Sequence, residues 1–160
     1  MALDPRFVGR RYGPFRYVVG AEKLREFAYA VGGTIPSTSF SGIGAPADLH
    51  PFLHDDAVGT ASEGGSIVAL PNFAVVFAIA PFGKACADPE LGINLPMLVH
   101  GEQRFEFFEV VRPNDILTTN GFISGITTKA NKDFMTVTTE STNQHDALVV
   151  RAEWLAVIRG

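Results

Sequence analysis

The densest collection of side chains able to move protons lies in Asp48-Leu49-His50-Pro51-Phe52-Leu53-His54-Asp55-Asp56, where two of the four histidines stand among three acids. Imidazoles and carboxylates this close together are the usual material of general acid–base catalysis. The functional reading is a proton-transfer site built from these imidazoles and carboxylates. The bland reading is a polar loop in which His54 and Asp55 only make helix-cap bonds at a short helix reaching about residue 60. The other two histidines promise less. His100 opens a strand beside Gly101 and reads as a structural or sheet-edge residue, and His145 sits in a turn with Asn143 and Asp146 and reads as solvated. Cys86, the single cysteine, reads as an inert packed thiol, because nothing in the sequence aims a base at it.

The rest of the composition narrows the field. A chain of 160 residues with 46% hydrophobic and 19% charged residues reads as one globular domain. Its net charge of -4, with Arg and Lys scattered singly apart from Arg10-Arg11, leaves no electrostatic footprint for nucleic acid. One cysteine allows no internal disulfide, so a reducing, cytoplasmic setting is the simplest expectation. No apolar h-region opens the chain, no segment is long enough to span a membrane, and no repeat or Walker-type phosphate loop is visible.

The element expected to organise the chain is the apolar run of residues 70–80, from Leu70-Pro71-Asn72-Phe73 onward. Pro71 suits a first helical position, and Pro81 predicts the helix end. Such a helix has no polar face, so other protein must enclose it. The spacing predicts a strand over residues 15–19 after a Gly13-Pro14 turn. It then predicts an amphipathic helix over residues 21–31 that buries Leu24, Phe27, Ala28 and Val31. Residues 34–47, and again 82–97, read as loops. Four strands follow, over residues 99–111, 116–128, 134–142 and 147–158. Their short turns predict an antiparallel meander wrapped around the central helix, an α+β architecture. In it the Phe105, Phe107 and Phe108 cluster reads as core and interface packing, and Glu102 with Arg104 as a solvated pair.

This order resembles the hot-dog fold in its MaoC-like dehydratase branch, close to (R)-specific enoyl-thioester hydratases and to the subunits of heterodimeric dehydratases. The resemblance is carried by Val8-Gly9-Arg10, Tyr17-Val18-Val19 and residues 65–77. Above all it is carried by His100-Gly101-Glu102-Gln103-Arg104-Phe105-Glu106-Phe107, continued by Arg112-Pro113-Asn114-Asp115-Ile116-Leu117. It implies reversible addition of water across the 2,3-double bond of an acyl thioester carried by coenzyme A or acyl carrier protein. It also implies a (3R)-hydroxy product and no metal or redox cofactor.

Catalytic members of that family carry Asp-x-Asn-Pro-x-His, and a backbone N–H at the start of the central helix faces the thioester oxygen. Asp48 matches the acid, three residues before Pro51. The Asn position holds His50, the catalytic His position holds Leu53, and His54 comes one residue late. At the helix start the family's His-Gly is Leu70-Pro71 here, and proline has no N–H to give. The resemblance thus assigns catalysis to Asp48 and His54, substrate contact to Leu53, Leu70, Pro71, Asn72 and Phe73, and an incomplete site to this chain. It also implies pairing with a second hot-dog subunit, as a homodimer or heterodimer, which the open edge of such a sheet invites. The alternatives are a non-catalytic acyl-thioester-binding or scaffold subunit and, more weakly, a thioesterase. The latter would want a carboxylate on the central helix, and residues 72–80 contain none.

Overall fold

Between residues 116 and 159 buried and exposed side chains alternate, and there the chain forms three long strands. The computed structural model describes residues 3–32 and 68–159. In chain order these form β1 (Arg11–Val18), α1 (Ala21–Gly32), α2 (Ala74–Ala78), α3 (Ala80–Cys86), β2 (Leu98–Phe107), β3 (Ile116–Lys129), β4 (Lys132–Thr142) and β5 (Leu148–Arg159). The architecture is α+β, as expected.

The sheet order is β1-β3-β4-β5-β2. The expected meander therefore holds for β3, β4 and β5 but not for all four C-terminal strands. β2 pairs antiparallel with β5 at the far edge rather than with β3, its successor in sequence. Three register shifts interrupt the ladders, between His100 and Glu102 against β5, between Ile123 and Gly125 against β4, and between Ser141 and Thr142 against β5. The second explains why Ile123 and Ile126 are both buried although they differ in parity: Ser124 is the extra residue of a bulge. Turns carry the expected chemistry. Between β3 and β4, Ala130 and Asn131 both take positive φ, 50° and 58°, as a two-residue hairpin requires. After β4, Asn143 Oδ1 accepts the N–H groups of His145 and Ala147. Contrary to expectation, Gly13-Pro14 lies inside β1 rather than before it.

The chain divides into two compact units. The larger comprises Met1–Tyr17, Ala74–Glu109 and Ile116–Gly160. In it α2 and α3 lie against β3 and β4, and Phe77, Ala78, Pro81, Phe82 and Ala85 are buried. They meet an inner sheet face of Leu117, Ile123, Met135, Val137, Ala152 and Trp154. The buried apolar helix on an antiparallel sheet is thus present, yet its expected end is wrong: Pro81 does not stop it. After a turn at Ile79 the chain resumes as α3, with Pro81 in the first turn, where a missing N–H is tolerated, and runs to Cys86. Beyond it, residues 89–91 and 95–97 form 3-10 turns where a loop was expected.

Proline at position 81 has no N–H for the carbonyl of Phe77, four residues earlier, and β3 supplies a donor instead. Thr119 Oγ1 lies 3.2 Å from Phe77 O and 2.7 Å from Ser141 Oγ, all in the interior. Thr119→Val keeps the shape and deletes the hydroxyl. It should cost about 1–3 kcal/mol in urea unfolding, whereas Thr119→Ser should stay near wild type. Equal midpoints for the two variants would refute this account.

The smaller unit comprises Val18–Phe73 and Val110–Asp115. α1 buries Leu24 and Ala28 as its spacing predicts, but Val31, expected on the same face, is 49% exposed in the last turn. Val19 is fully buried, donates to Asp115 O and accepts from Asn114 N–H. The turn at Arg112-Pro113-Asn114-Asp115 is closed by Asp115 Oδ2, which accepts the Arg112 N–H at 2.7 Å, with Asn114 at φ 71°.

Candidate functional site

Asp48, His50, Leu53 and His54 lie outside the described residues, as do the expected cap at Asp55 or Asp56 and the loop over residues 34–47. Of the expected substrate-contacting residues, Leu70, Pro71, Asn72 and Phe73 are placed. Residues 68–70 run without regular structure, and Ala69 donates its N–H to Val111 O at 2.8 Å. Pro71–Phe73 then forms a 3-10 turn, in which the Phe73 N–H donates to Leu70 O at 2.9 Å. The Phe73 ring is fully buried and stands edge-on to Phe27, with centroids 5.3 Å apart, while Pro71 and Asn72 are exposed.

This opening differs chemically from one that presents consecutive N–H groups. Pro71 offers none, and Phe73's is taken by Leu70. The turn therefore starts with fewer free backbone donors than a helix opening without proline.

The remaining candidates take the positions their surroundings dictate. The exposed His100 ring lies 5.3 Å from Phe82 and 5.9 Å from Trp154, with Nε2 3.2 Å from Glu102 O. Phe105 meets Trp154 edge-on at 5.3 Å, while Phe107 and Phe108 remain 48% and 45% exposed. Burial pushes the Cys86 thiol up to about 11, so it is protonated and unreactive at neutral pH. Among the described residues no group of three or more His, Cys, Asp or Glu could hold a metal ion. None of the described helices is long and apolar enough to cross a membrane.

One polar constellation went unnoticed in the sequence. Arg10 places Nε 2.8 Å from Asp88 Oδ2 and its two terminal nitrogens 2.9 and 3.0 Å from the Glu90 carboxylate. Tyr12 donates its hydroxyl to Asp88 Oδ2 at 2.9 Å. Burial, reinforced by the hydrogen bond to the Asp88 carboxylate, raises the Tyr12 pKa. The bond to Arg10 holds Glu90 below its ordinary value. With the phenol kept neutral and donating, and both acids already engaged, the cluster is a clamp that ties β1 to the segment after α3. No local pattern could have revealed it, because its halves lie 76–80 positions apart.

A five-stranded antiparallel sheet carrying a short apolar helix is the hot-dog arrangement, and comparison with solved structures agrees. The HadBC (3R-hydroxyacyl-ACP dehydratase) complex from Mycobacterium tuberculosis aligns with a TM-score of 0.73 and 21% identity, over 98% of this chain and 99% of that one. The (R)-hydratase from A. caviae aligns at 0.62 and 17%, over 93% and 94%. The ChsH1-ChsH2 complex from Mycobacterium tuberculosis aligns at 0.66 and 15%, over 94% and 89%. The fold is that of MaoC-like dehydratases and (R)-hydratases.

Within that class, residues 42–152 match the model of the FAS1-like dehydratase domain region, and the chain belongs to this family. It is also 34% identical over 153 residues to a UPF0336 protein of Streptomyces griseus, covering 95% of this chain and 92% of that one. A UPF0336 protein of Saccharopolyspora erythraea is 32% identical over 161 residues, covering 100% and 94%.

Proposed function

We propose that this chain acts in the reversible hydration of a 2,3-enoyl thioester, as a (3R)-hydroxyacyl-thioester dehydratase or enoyl-thioester hydratase. The observation that carries the reading is the dehydratase-family match over residues 42–152, which spans both the Asp48–His54 segment and the opening at Leu70. In the dehydration direction a proton leaves C2 and the C3 hydroxyl leaves as water. The chemistry needs a base, an acid and donors for the enolate-like oxygen. Asp48 and His54 are the groups offered for the proton transfers, with His50 as the second choice. Leu53, Leu70, Pro71, Asn72 and Phe73 are offered for the thioester, carried by coenzyme A or acyl carrier protein in a cytoplasmic setting.

A second reading is favoured by the departures at Leu53 and Pro71. In it the chain supplies the substrate-binding half of a pair, and a second hot-dog subunit holds the complete Asp and His pair. HadBC and ChsH1-ChsH2 are themselves two-component complexes, which supports such a partnership.

Water addition to a crotonyl thioester by the purified chain tests both readings. Activity that falls about a hundredfold or more in both Asp48→Ala and His54→Ala is the result expected of a self-sufficient enzyme. Activity absent alone and restored by a co-expressed, motif-complete hot-dog subunit identifies the binding half. Silence under both conditions would leave the non-catalytic scaffold.

A further inference from the structure

Asp133, near the start of β4, is a buried acid that the proposed chemistry does not use, with only 6% of its surface exposed. Its Oδ2 accepts the Leu3 N–H at 2.9 Å, and its Oδ1 accepts the Thr128 hydroxyl at 2.5 Å. Both donors are neutral, and among the described residues no Lys, Arg or His is ion-paired with it. A carboxylate withdrawn from water normally has a positive partner, because its lost hydration is otherwise uncompensated. Each of its oxygens can still accept a further hydrogen bond.

Asp133 faces a cavity of about 320 Å³, walled in part by Leu3, Ile93, Met97, Ile158 and Arg159. That volume is at the lower end of the roughly 300–1,000 Å³ typical of small-molecule sites. Leu3 and Ile158 are buried, Ile93 is half-buried and Met97 is exposed. The space thus combines apolar walls with a single carboxylate that lacks a counter-charge.

We propose that this cavity binds a small primary ammonium on a short aliphatic body. The ammonium N–H groups donate to the remaining lone pairs of Asp133 and bring the missing positive charge, in charge-assisted hydrogen bonds. The aliphatic body lies against Ile93, Met97 and Ile158. A divalent metal ion would want several oxygen ligands, and among the described residues no group of three or more His, Cys, Asp or Glu could supply them. Arg159 in the wall disfavours a second positive charge on the ligand, so a monoamine fits better than a diamine. A free amine and an α-amino acid of the same side chain share this chemistry. The inference goes beyond the proposed hydration and does not depend on it.

The test is calorimetric titration of the purified full chain in phosphate buffer, since Tris is itself a primary ammonium. Isopentylammonium chloride should bind with a Kd of about 1 mM or tighter. Isopentanol, the same body without the charge, should bind roughly tenfold more weakly or worse, and the diamine cadaverine should also bind more weakly. Leucine adds a carboxylate to the same body. Binding tighter than the amine makes an amino acid the source, weaker binding makes it a free amine, and either result supports the site.

Asp133→Asn should weaken isopentylammonium roughly tenfold or more. Because Asp133 also holds Leu3 and Thr128, Met97→Trp is the second variant: it fills the space from an exposed position. It should abolish binding while leaving the urea midpoint near wild type. Wild type that does not bind isopentylammonium overturns the inference. So does the same heat from sodium chloride at equal concentration, equal binding of isopentanol, or M97W binding as wild type does. None of these readouts involves a thioester, so this site and the proposed hydration stand or fall separately.

Discussion

Trp154→Ala will lower folding stability by about 3–5 kcal/mol, the range for emptying a large aromatic site in a closed core. Trp154 is fully buried in β5. Its ring stacks on Phe82 of α3 at 5.9 Å and 23°, takes Phe105 of β2 edge-on at 5.3 Å and 86°, and borders His100 at 5.9 Å. Its Nε1–H donates to Thr139 Oγ1 at 3.0 Å, and Thr139 is itself buried. One side chain thus joins three strands and the helix, and truncation removes both contact area and a buried hydrogen bond. Trp154→Phe, which keeps most of the area but not the donor, should lose clearly less. Urea unfolding reads both as midpoint shifts at constant slope. An alanine variant within about 1 kcal/mol of wild type would show that this cluster does not hold the helix to the sheet.

The second large effect is predicted at Gly121, where the helix approaches the sheet most closely. A Cβ built there would sit 2.5 Å from Pro81 Cβ, 3.1 Å from Pro81 Cγ and 3.0 Å from Thr139 Cγ2. Pro81 cannot rotate its ring away, since the ring is part of the backbone, so α3 or β3 must shift. Gly121→Ala should therefore cost about 1–3 kcal/mol, and Gly121→Val more, through overpacking. Gly125, four residues along the same strand, has nothing within 4 Å of its would-be Cβ. Gly125→Ala is the control, expected within about 0.5 kcal/mol of wild type. If the two alanine variants unfold at the same denaturant concentration, the close approach does not limit packing.

Both predictions concern contacts that no local reading of the chain supplies, and this divides what was legible from what was not. The period-two alternation of Met135, Val137 and Thr139 was visible in the sequence, as were the turns at Arg112-Pro113-Asn114-Asp115 and Asn143-Gln144-His145-Asp146, because each depends on neighbours a few residues apart. Pro81 was misread. Proline breaks a helix interior but is welcome in a first turn, and which of these it occupies depends on the break at Ile79 and on Thr119 reaching Phe77 from a strand forty-two residues away. The bulges after His100 and Ile123 leave no periodic trace, although they decide which residues face inward.

The candidate site divides the same way. Residue types mark the Asp48–Asp56 cluster as material for proton transfer, while the resemblance alone implies catalysis by Asp48 and His54, with His50 as second choice, and substrate contact by Leu53, Leu70, Pro71, Asn72 and Phe73. The structure adds that Pro71, which has no N–H, opens a 3-10 turn in which Leu70 takes the N–H of Phe73, and that Phe73 is packed edge-on to Phe27.

By itself the sequence determined the class of elements, their order and the apolar helix, since these follow from composition and short-range periodicity, and it offered candidates for acid–base work. Only the tertiary structure decided that β2 lies against β5 at an open edge, that Arg10 and Tyr12 clamp Asp88 and Glu90, and that Trp154 joins helix to sheet. Those pairings join residues far apart in the chain, and their free energy exists only once the strands have chosen their neighbours.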